Sequence, residues 1–262
     1  MNDIVSVTDH IKEFSVESQL LEGYFNEKMS SDTTIALVWH QTIDEDFLSK
    51  YPRLRAIVRY GVGYDNVNLG LCKRKKIIVV NTPDYGVDEV SDTAIAMILN
   101  LTRKINALQI HAKSDADYWL GKDINLNIKR LNTLSLGVVG LGRIGGSILR
   151  KFQSFSRYTS FFDPYQADGI EKIFQTNRCE NLSELLENSD IVSINTPLNK
   201  ETKGMVNEGF IKKMKEKSYL INVSRGPIVD DQEVIFKNIK SGKLSGYATD
   251  VWTEEPPSKE DE

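Results

Sequence analysis

The chain has 262 residues, of which 40% are hydrophobic and 27% charged, with a net charge of −4. Such a composition supplies enough apolar material for one large or two modest cores. The mixing of acids and bases argues against a nucleic-acid partner or an anionic membrane surface, because there is no basic stripe and no polybasic run. Cys72 and Cys179 stand apart from any CxxC pair or Cys/His cluster, which excludes a disulfide framework and a zinc centre and fits a reducing cytoplasm. The opening residues carry acids where a signal peptide needs an apolar run, and no stretch approaches the ~20 apolar residues that span a bilayer. The expectation is a cytoplasmic protein with no metal.

Short apolar runs then alternate with amphipathic helical patterns, the rhythm of an α/β protein with parallel sheets. Runs at 4–7, 35–39, 54–59 and 77–80 read as buried strands of a small first unit. Between the last two sit Gly61-Val62-Gly63 and Asp65-Asn66, a tight turn. A long helix follows, with Asp88 as its N-cap. Its apolar positions Val90, Ala94, Met97, Leu101, Ile105 and Leu108 recur at threes and fours, so they share one face. It is long enough to link two domains. Residues 111–132 are polar and irregular, with Trp119 in their middle, and read as an arm or loop.

The second part has a clearer βα alternation. A strand is expected at 134–139, followed by a helix that sets Ile144, Ile148, Phe152 and Phe155 along one side. The next strand, 159–162, ends at Asp163-Pro164. A helix at 182–187, a strand at 191–195, a helix at 208–215 and a strand at 219–223 follow. Asp230 and Glu233 form a capping box for a helix that ends at Gly242. The strand 246–251 leads into Glu254-Glu255-Pro256-Pro257 and a charged tail.

Gly140-Leu141-Gly142-Arg143-Ile144-Gly145 matches GxGxxG in a telling context. It follows an apolar strand, opens an amphipathic helix, and an acid, Asp163, ends the next strand. The first glycine permits the tight turn, the second lets backbone approach a pyrophosphate, and the third lets helix and strand pack closely. Phosphates then sit at the helix N-terminus, where N–H groups and the helix dipole favour negative charge. Asp163 would accept hydrogen bonds from ribose hydroxyls and repel a 2′-phosphate, so the expected cofactor is NAD rather than NADP.

These residues resemble the D-isomer-specific 2-hydroxyacid dehydrogenases. The resemblance extends over Tyr60-Gly61-Val62-Gly63-Tyr64-Asp65-Asn66-Val67, Asn81-Thr82-Pro83-Asp84-Tyr85 and the glycine turn with Asp163-Pro164-Tyr165. It continues through Thr196-Pro197-Leu198, Asn222-Val223-Ser224-Arg225-Gly226, and Asp250-Val251 to Glu255-Pro256. Pro83-Asp84-Tyr85 with Asp88-Glu89-Val90 leans towards the corepressor-like branch of that family. The resemblance implies a smaller flavodoxin-like substrate domain over 1–84. It implies a Rossmann cofactor domain, a doubly wound parallel sheet, over 85–262, with the linker helix and a dimer arm and without its last strand. It also implies hydride transfer between nicotinamide and a small D-2-hydroxy or 2-oxo acid, and a homodimer joined through the cofactor domain.

The family's catalytic arginine maps onto Arg225, whose guanidinium can hold both the substrate carboxylate and the carbonyl being reduced. Its catalytic glutamate maps onto Glu255, beside Glu254, and serves there to hold a histidine protonated. Tyr60, Gly61, Val62 and Gly63 match the substrate-carboxylate loop, where glycine-turn amides suit an anion. Gly140, Gly142, Arg143, Ile144, Gly145, Asp163, Pro164, Thr196, Pro197, Ser224 and Asp250 map onto cofactor positions. The family's proton-donating histidine lies some twenty residues past the glutamate, beyond Glu262. The expectations are therefore a fragment of a longer enzyme or a short form that binds NAD and turns over poorly. An NAD-sensing, corepressor-like binding protein is the alternative, and His40 after the second strand is a candidate substitute acid. Asn195 and Asp92 depart from common family residues and are expected to tune cofactor or hinge. The Arg225 and Glu255 pair argues against an adenosylhomocysteine hydrolase relative.

Overall fold

The computed structural model describes residues 3–9, 13–114 and 128–255. Their strands all pair in parallel and sort into two sheets, one in each of two units, Met1–Gly86 and Val87–Glu262.

In the first unit the strands are β1 (Val5–Val7), β2 (Phe25–Asn26), β3 (Ile35–Val38), β4 (Ala56–Arg59) and β5 (Ile78–Asn81). They lie in the order β2-β1-β3-β4-β5, the flavodoxin-like order with its reversal between β1 and β3. Helices α1 (Ser15–Leu20), α2 (Glu45–Lys50) and α3 (Leu69–Arg74) make the crossovers. β3 is apolar at every position because a central parallel strand is covered on both faces. α2 and α3 start where Asp44 and Asn68 accept the Phe47 and Leu71 amides at 2.9 and 3.0 Å. Ile57, Leu71, Cys72 and Ile43 fill the core between sheet and helices.

The second unit opens with α4 (Val87–Arg103) and α5 (Ile105–Ser114). Strands β6 (Leu136–Val139), β7 (Thr159–Phe162), β8 (Asn177–Arg178), β9 (Ile191–Ile194), β10 (Ser218–Asn222) and β11 (Leu244–Thr249) follow. Between them come α6 (Arg143–Phe152), α7 (Ile170–Phe174), α8 (Leu182–Asn188), α9 (Glu208–Lys213) and α10 (Gln232–Lys240). The sheet order β8-β7-β6-β9-β10-β11 is 3-2-1-4-5-6 when counted from β6, the doubly wound dinucleotide-binding arrangement. Ala94 and Ile98 of α4 and Ile148, Leu149 and Phe152 of α6 cover one face of the sheet. Leu185, Leu186, Phe210, Ile211 and Ile235 from α8, α9 and α10 cover the other.

Several local expectations are corrected. Asp88 lies within the first turn of α4, because the helix already begins at Val87. The expected single long helix breaks at Lys104, which takes a left-handed φ of 57° while the Asn100 side chain accepts the Asn106 amide at 3.1 Å. The buried stripe of α4 is Ser91, Ala94, Ile98 and Thr102. The cap of α10 is Asp231, whose carboxylate accepts the Glu233 amide, rather than Asp230. Residues 111–114 continue α5 and Leu131–Thr133 form one 3-10 turn, while Trp119 lies outside the described residues. The two-residue strands β2 and β8 have no counterpart in the sequence reading, because two residues carry no periodicity. Among the described residues no helix is long and apolar enough to cross a membrane.

The amino-terminal edge of the second sheet is stitched by Asp190. Its carboxylate accepts the Ser135 amide at 3.0 Å and hydroxyl at 2.9 Å, and pairs with Lys215 at 2.8 Å. Burial pushes this carboxyl up, but the bonds from Lys215 and Ser135 outweigh it and hold it below the ordinary aspartate value. A depressed folded pKa gives stability that is present above the unfolded value, ~3.9, and is lost as pH falls through the folded one. Asp190→Asn should therefore cost about 1–3 kcal/mol in urea unfolding at pH 7. That deficit should shrink on acidification below the ordinary aspartate range, and a constant deficit across pH would contradict the ionic assignment.

Candidate active site

The glycine turn joins β6 to α6, and its three glycines meet three different constraints. Gly140 has φ +89°, and a side chain there would press on the Asn195 carbonyl oxygen at 2.8 Å. Gly145 faces the strand so closely that a Cβ would stand 2.1 Å from the Gly140 oxygen. Gly142, by contrast, borders open space. It is also the N-cap of α6, with no side chain bonded to the helix end. Helices α2, α3, α8, α9 and α10 are each capped by an Asp or Asn side chain. The first-turn amides of α6, those of exposed Arg143, half-buried Ile144 and Gly145, thus keep their donors for a ligand.

The strands beside β6 complete this edge. Asp163, after β7, accepts the Leu141 amide on Oδ2 and the Tyr165 amide on Oδ1, both at 2.9 Å. Pro164 between them is exposed. Gln166 Nε2 donates to the Leu141 carbonyl at 2.7 Å, so the peptides on both sides of Leu141 are held. After β9, the Thr196 hydroxyl is buried and makes no hydrogen bond among the described residues. Its methyl lies against the position a Gly140 Cβ would take. Pro197 follows, exposed, and Asn195 folds its amide back onto Ser193.

Arg225 follows β10 in extended backbone and donates to the Ser224 carbonyl at 2.7 Å. Ser224 is itself tied to the Ile194 carbonyl of β9 at 2.8 Å. The sequence reading gave no role to Asn222, which is fully buried. Its Oδ1 accepts the Ser224 amide and its Nδ2 donates to the Arg225 carbonyl, so it templates the turn that presents the guanidinium. The signal was a polar residue ending an otherwise apolar strand. Gly226 is required by the chain returning after β11, since a Cβ would stand 1.9 Å from the Trp252 carbonyl carbon.

That return brings Asp250 and Glu255 to the Arg225 turn. Burial raises the Asp250 carboxyl above the ordinary value, the Glu255 charge raises it further, and the Arg225 charge opposes both. One Asp250 oxygen is buried with no hydrogen-bond partner among the described residues. Glu255, although exposed, folds back to accept the Trp252 amide at 3.1 Å. Among the described residues no such bond involves Glu254, which separates the two adjacent acids. Two orphaned buried oxygens, an uncapped helix end and open space at Gly142 fit a bound dinucleotide.

In the first unit the loop after β4 is an amide-rich turn. The Asn81 amide donates to the Val62 carbonyl at 2.8 Å, and Thr82 N to the Gly61 carbonyl at 3.2 Å. The Val62 and Gly63 amides donate to none of the described residues, so they can take an anion. The Arg59 guanidinium occupies the space that a Gly61 side chain would need and donates to the Tyr60 carbonyl. The Tyr60 hydroxyl donates to Glu17 at 3.1 Å, and burial with that carboxylate raises the phenol to about 12. His40 stacks on Trp39 at 4.8 Å, and both amides donate to Asp9. Asp92 pairs with Lys151 of α6 at 2.6 Å and so joins α4 to α6.

A family model described as the NAD-binding domain of the D-isomer specific 2-hydroxyacid dehydrogenases matches residues 95–262. A glyoxylate reductase of Thermofilum pendens is 36% identical over 82% of this chain and 63% of its own length. A glyoxylate/hydroxypyruvate reductase of Arabidopsis thaliana is 35% identical over 81% of this chain and 66% of its own. The chain thus spans about two thirds of the length of these curated relatives. The crystal structure of a D-lactate dehydrogenase from Aquifex aeolicus, complexed with NAD and lactic acid, is similar with a TM-score of 0.83. That protein is 30% identical, over 95% of this chain and 77% of its own.

The contrast between two glycines is directly testable. Gly145→Ala should force α6 away from β6 and cost about 1–3 kcal/mol by thermal or urea unfolding. Gly142→Ala should cost no more than about 1 kcal/mol, since its side chain enters open space at a helix cap. Equal destabilisation by the two would show that the turn does not divide the work as described.

Proposed function

The chain belongs to the D-isomer specific 2-hydroxyacid dehydrogenases, and we propose that it binds NAD and transfers hydride between that cofactor and a small 2-oxo or 2-hydroxy acid. The observation that carries this reading is the pairing of an uncapped, glycine-opened α6 with an arginine turn at the same sheet edge. Bound there, NAD would supply the hydride donor or acceptor.

The remaining work falls to side chains and amides. The α6 amides, with Gly140, Gly142, Arg143, Ile144 and Gly145, hold the pyrophosphate. Asp163 and Pro164 face the adenosine ribose, and Thr196, Pro197 and Ser224 line the path between the two nucleotides. The unpartnered Asp250 oxygen accepts from the carboxamide end. Arg225 binds the substrate carboxylate and polarises its carbonyl, acting where negative charge develops on oxygen. Glu255, near Asp250 and the Arg225 turn, would orient a histidine as proton donor for that oxygen, the role that the resemblance implies. Within the first unit, the Tyr60, Gly61, Val62 and Gly63 loop offers backbone amides that suit a carboxylate. Asp163 disfavours a 2′-phosphate, so NADH is preferred over NADPH.

The names of the two curated relatives direct the substrate test to glyoxylate and hydroxypyruvate. A homodimer through the second unit is part of the proposal, supported by Ile105 and Ile110 of α5, which are 51% and 67% exposed. A cytoplasmic location agrees with two unbridged, buried thiols.

NADH titration by fluorescence and NADH oxidation with glyoxylate, hydroxypyruvate and pyruvate test the reading together. Arg225→Lys should lower kcat/KM by about 10²-fold or more while leaving the NADH dissociation constant nearly unchanged. Asp163→Ala should weaken NADH by about tenfold, the loss of one charge-assisted hydrogen bond. NADH binding without turnover on any 2-oxo acid would overturn the hydride-transfer reading and leave a nucleotide-binding protein.

A further inference from the structure

We propose that Glu201, held in place by Tyr165, is a second acidic determinant of which dinucleotide the chain accepts, acting beside Asp163. This rests on the reading that the glycine turn after β6 holds a dinucleotide. β7 and β9 flank β6 in the sheet, so the loops that trail them stand on either side of that turn. The two strands are two spacings apart, ~9.6 Å, a gap that one tyrosine and one glutamate side chain can bridge. They do bridge it: the Tyr165 hydroxyl donates to Glu201 Oε2 at 2.6 Å, while the Tyr165 amide donates to Asp163 Oδ1 at 2.9 Å. One tyrosine therefore links both carboxylates, and each of them acts electrostatically on its phenol.

The bond does little for the core. Tyr165 is 77% exposed, and an exposed pair of this kind adds little to folding while it restrains two rotatable side chains. Its effect is to fix where a negative charge stands. The backbone under Glu201 is fixed as well. Asn199 Oδ1 accepts the Glu201 and Thr202 amides at 2.8 and 3.0 Å, and Thr202 Oγ1 donates to the Pro197 carbonyl at 2.5 Å. That loop starts at Thr196, whose buried hydroxyl is one of the two orphans at this edge. The Glu201 bond, followed by the charges of Glu201 and Asp163, raises the phenol pKa, so the tyrosine remains a donor.

Asp163 alone is an incomplete discriminator. Both its oxygens already accept backbone amides, which offset part of its charge. A 2′-phosphate carries about −1.5 to −2 charges, so a second carboxylate held on the flanking loop adds a repulsion that a free 2′-hydroxyl does not feel.

The test is fluorescence titration of NADH and NADPH against the intact protein and its Glu201→Gln and Tyr165→Phe variants, at low and high salt, with melting temperatures alongside. Glu201→Gln should leave the NADH dissociation constant within about twofold and tighten NADPH by about three- to tenfold. Tyr165→Phe, which keeps the charge but frees it to move, should recover part of that gain and make the NADPH penalty more sensitive to salt. Glu201→Gln shifting both nucleotides equally, or leaving NADPH unchanged while the parent protein binds NADH, overturns the proposal alone. A parent protein that binds neither nucleotide overturns the dinucleotide reading first, and this proposal with it.

Discussion

The closeness of α6 to β6 is the constraint from which the rest of the second unit follows. Helix and strand meet with no side chain between them at Gly145, where even a methyl group would collide with the Gly140 carbonyl. That contact brings the first turn of α6 onto the end of the central strand and leaves its amides pointing past the sheet. Asp163 can then reach the Leu141 amide from β7, and Thr196 can crowd Gly140 from β9. The middle and far end of α6 are anchored to α4 by the Ser91–Ser147 contact at 3.0 Å and by Lys151 on Asp92. A helix fixed at both ends is a rigid mount for a ligand, because tightly packed elements transmit displacement rather than absorb it.

The two ends of the same sheet show how polar groups are divided between folding and function. At the amino-terminal edge, Asp190 meets Ser135, Lys215 and Lys129, a site that is saturated and contributes to stability. At the carboxyl edge, Asn222, Ser224 and Thr249 spend their hydrogen bonds on shaping the Arg225 turn. Thr196 and Asp250 are left there with buried oxygens unmatched among the described residues. An unmatched buried oxygen costs free energy, so its placement at this edge and not the other is what a binding site predicts. Brought near Glu255 and Arg225, Asp250 sits where its charge state responds to both neighbours.

Much of this was legible in the residues. The apolar runs of β3, β6 and β9 are continuous because central parallel strands are covered on both faces, and they fall within one or two residues of the expected spans. The glycine spacing carried its own geometry, since each of the three glycines answers a different steric demand. Asn222 was hidden because its importance lies in two bonds to backbone atoms, which no spacing rule reports. The break at Lys104 was hidden for a related reason. Periodicity runs straight through it, while the competing bond from Asn100 depends on how α4 ends. The one-residue shift from Asp230 to Asp231 turns on which carboxylate reaches the Glu233 amide.

By itself, then, the sequence determined the α/β class, the order of the longer strands in the second unit, and the turn chemistry at residues 140–145. All of these depend on local patterns: burial on two faces, helical spacing, and backbone that only glycine can adopt. Tertiary structure alone decided which polar atoms are used up and which are left over. It set Asp163 on the Leu141 amide, Glu255 rather than Glu254 on the Trp252 amide, and Glu201 on Tyr165. The bonds of Asp163 and Glu201 join residues that follow different strands of a parallel sheet, and they exist only once the packing of α6 on β6 has brought the strand ends into line.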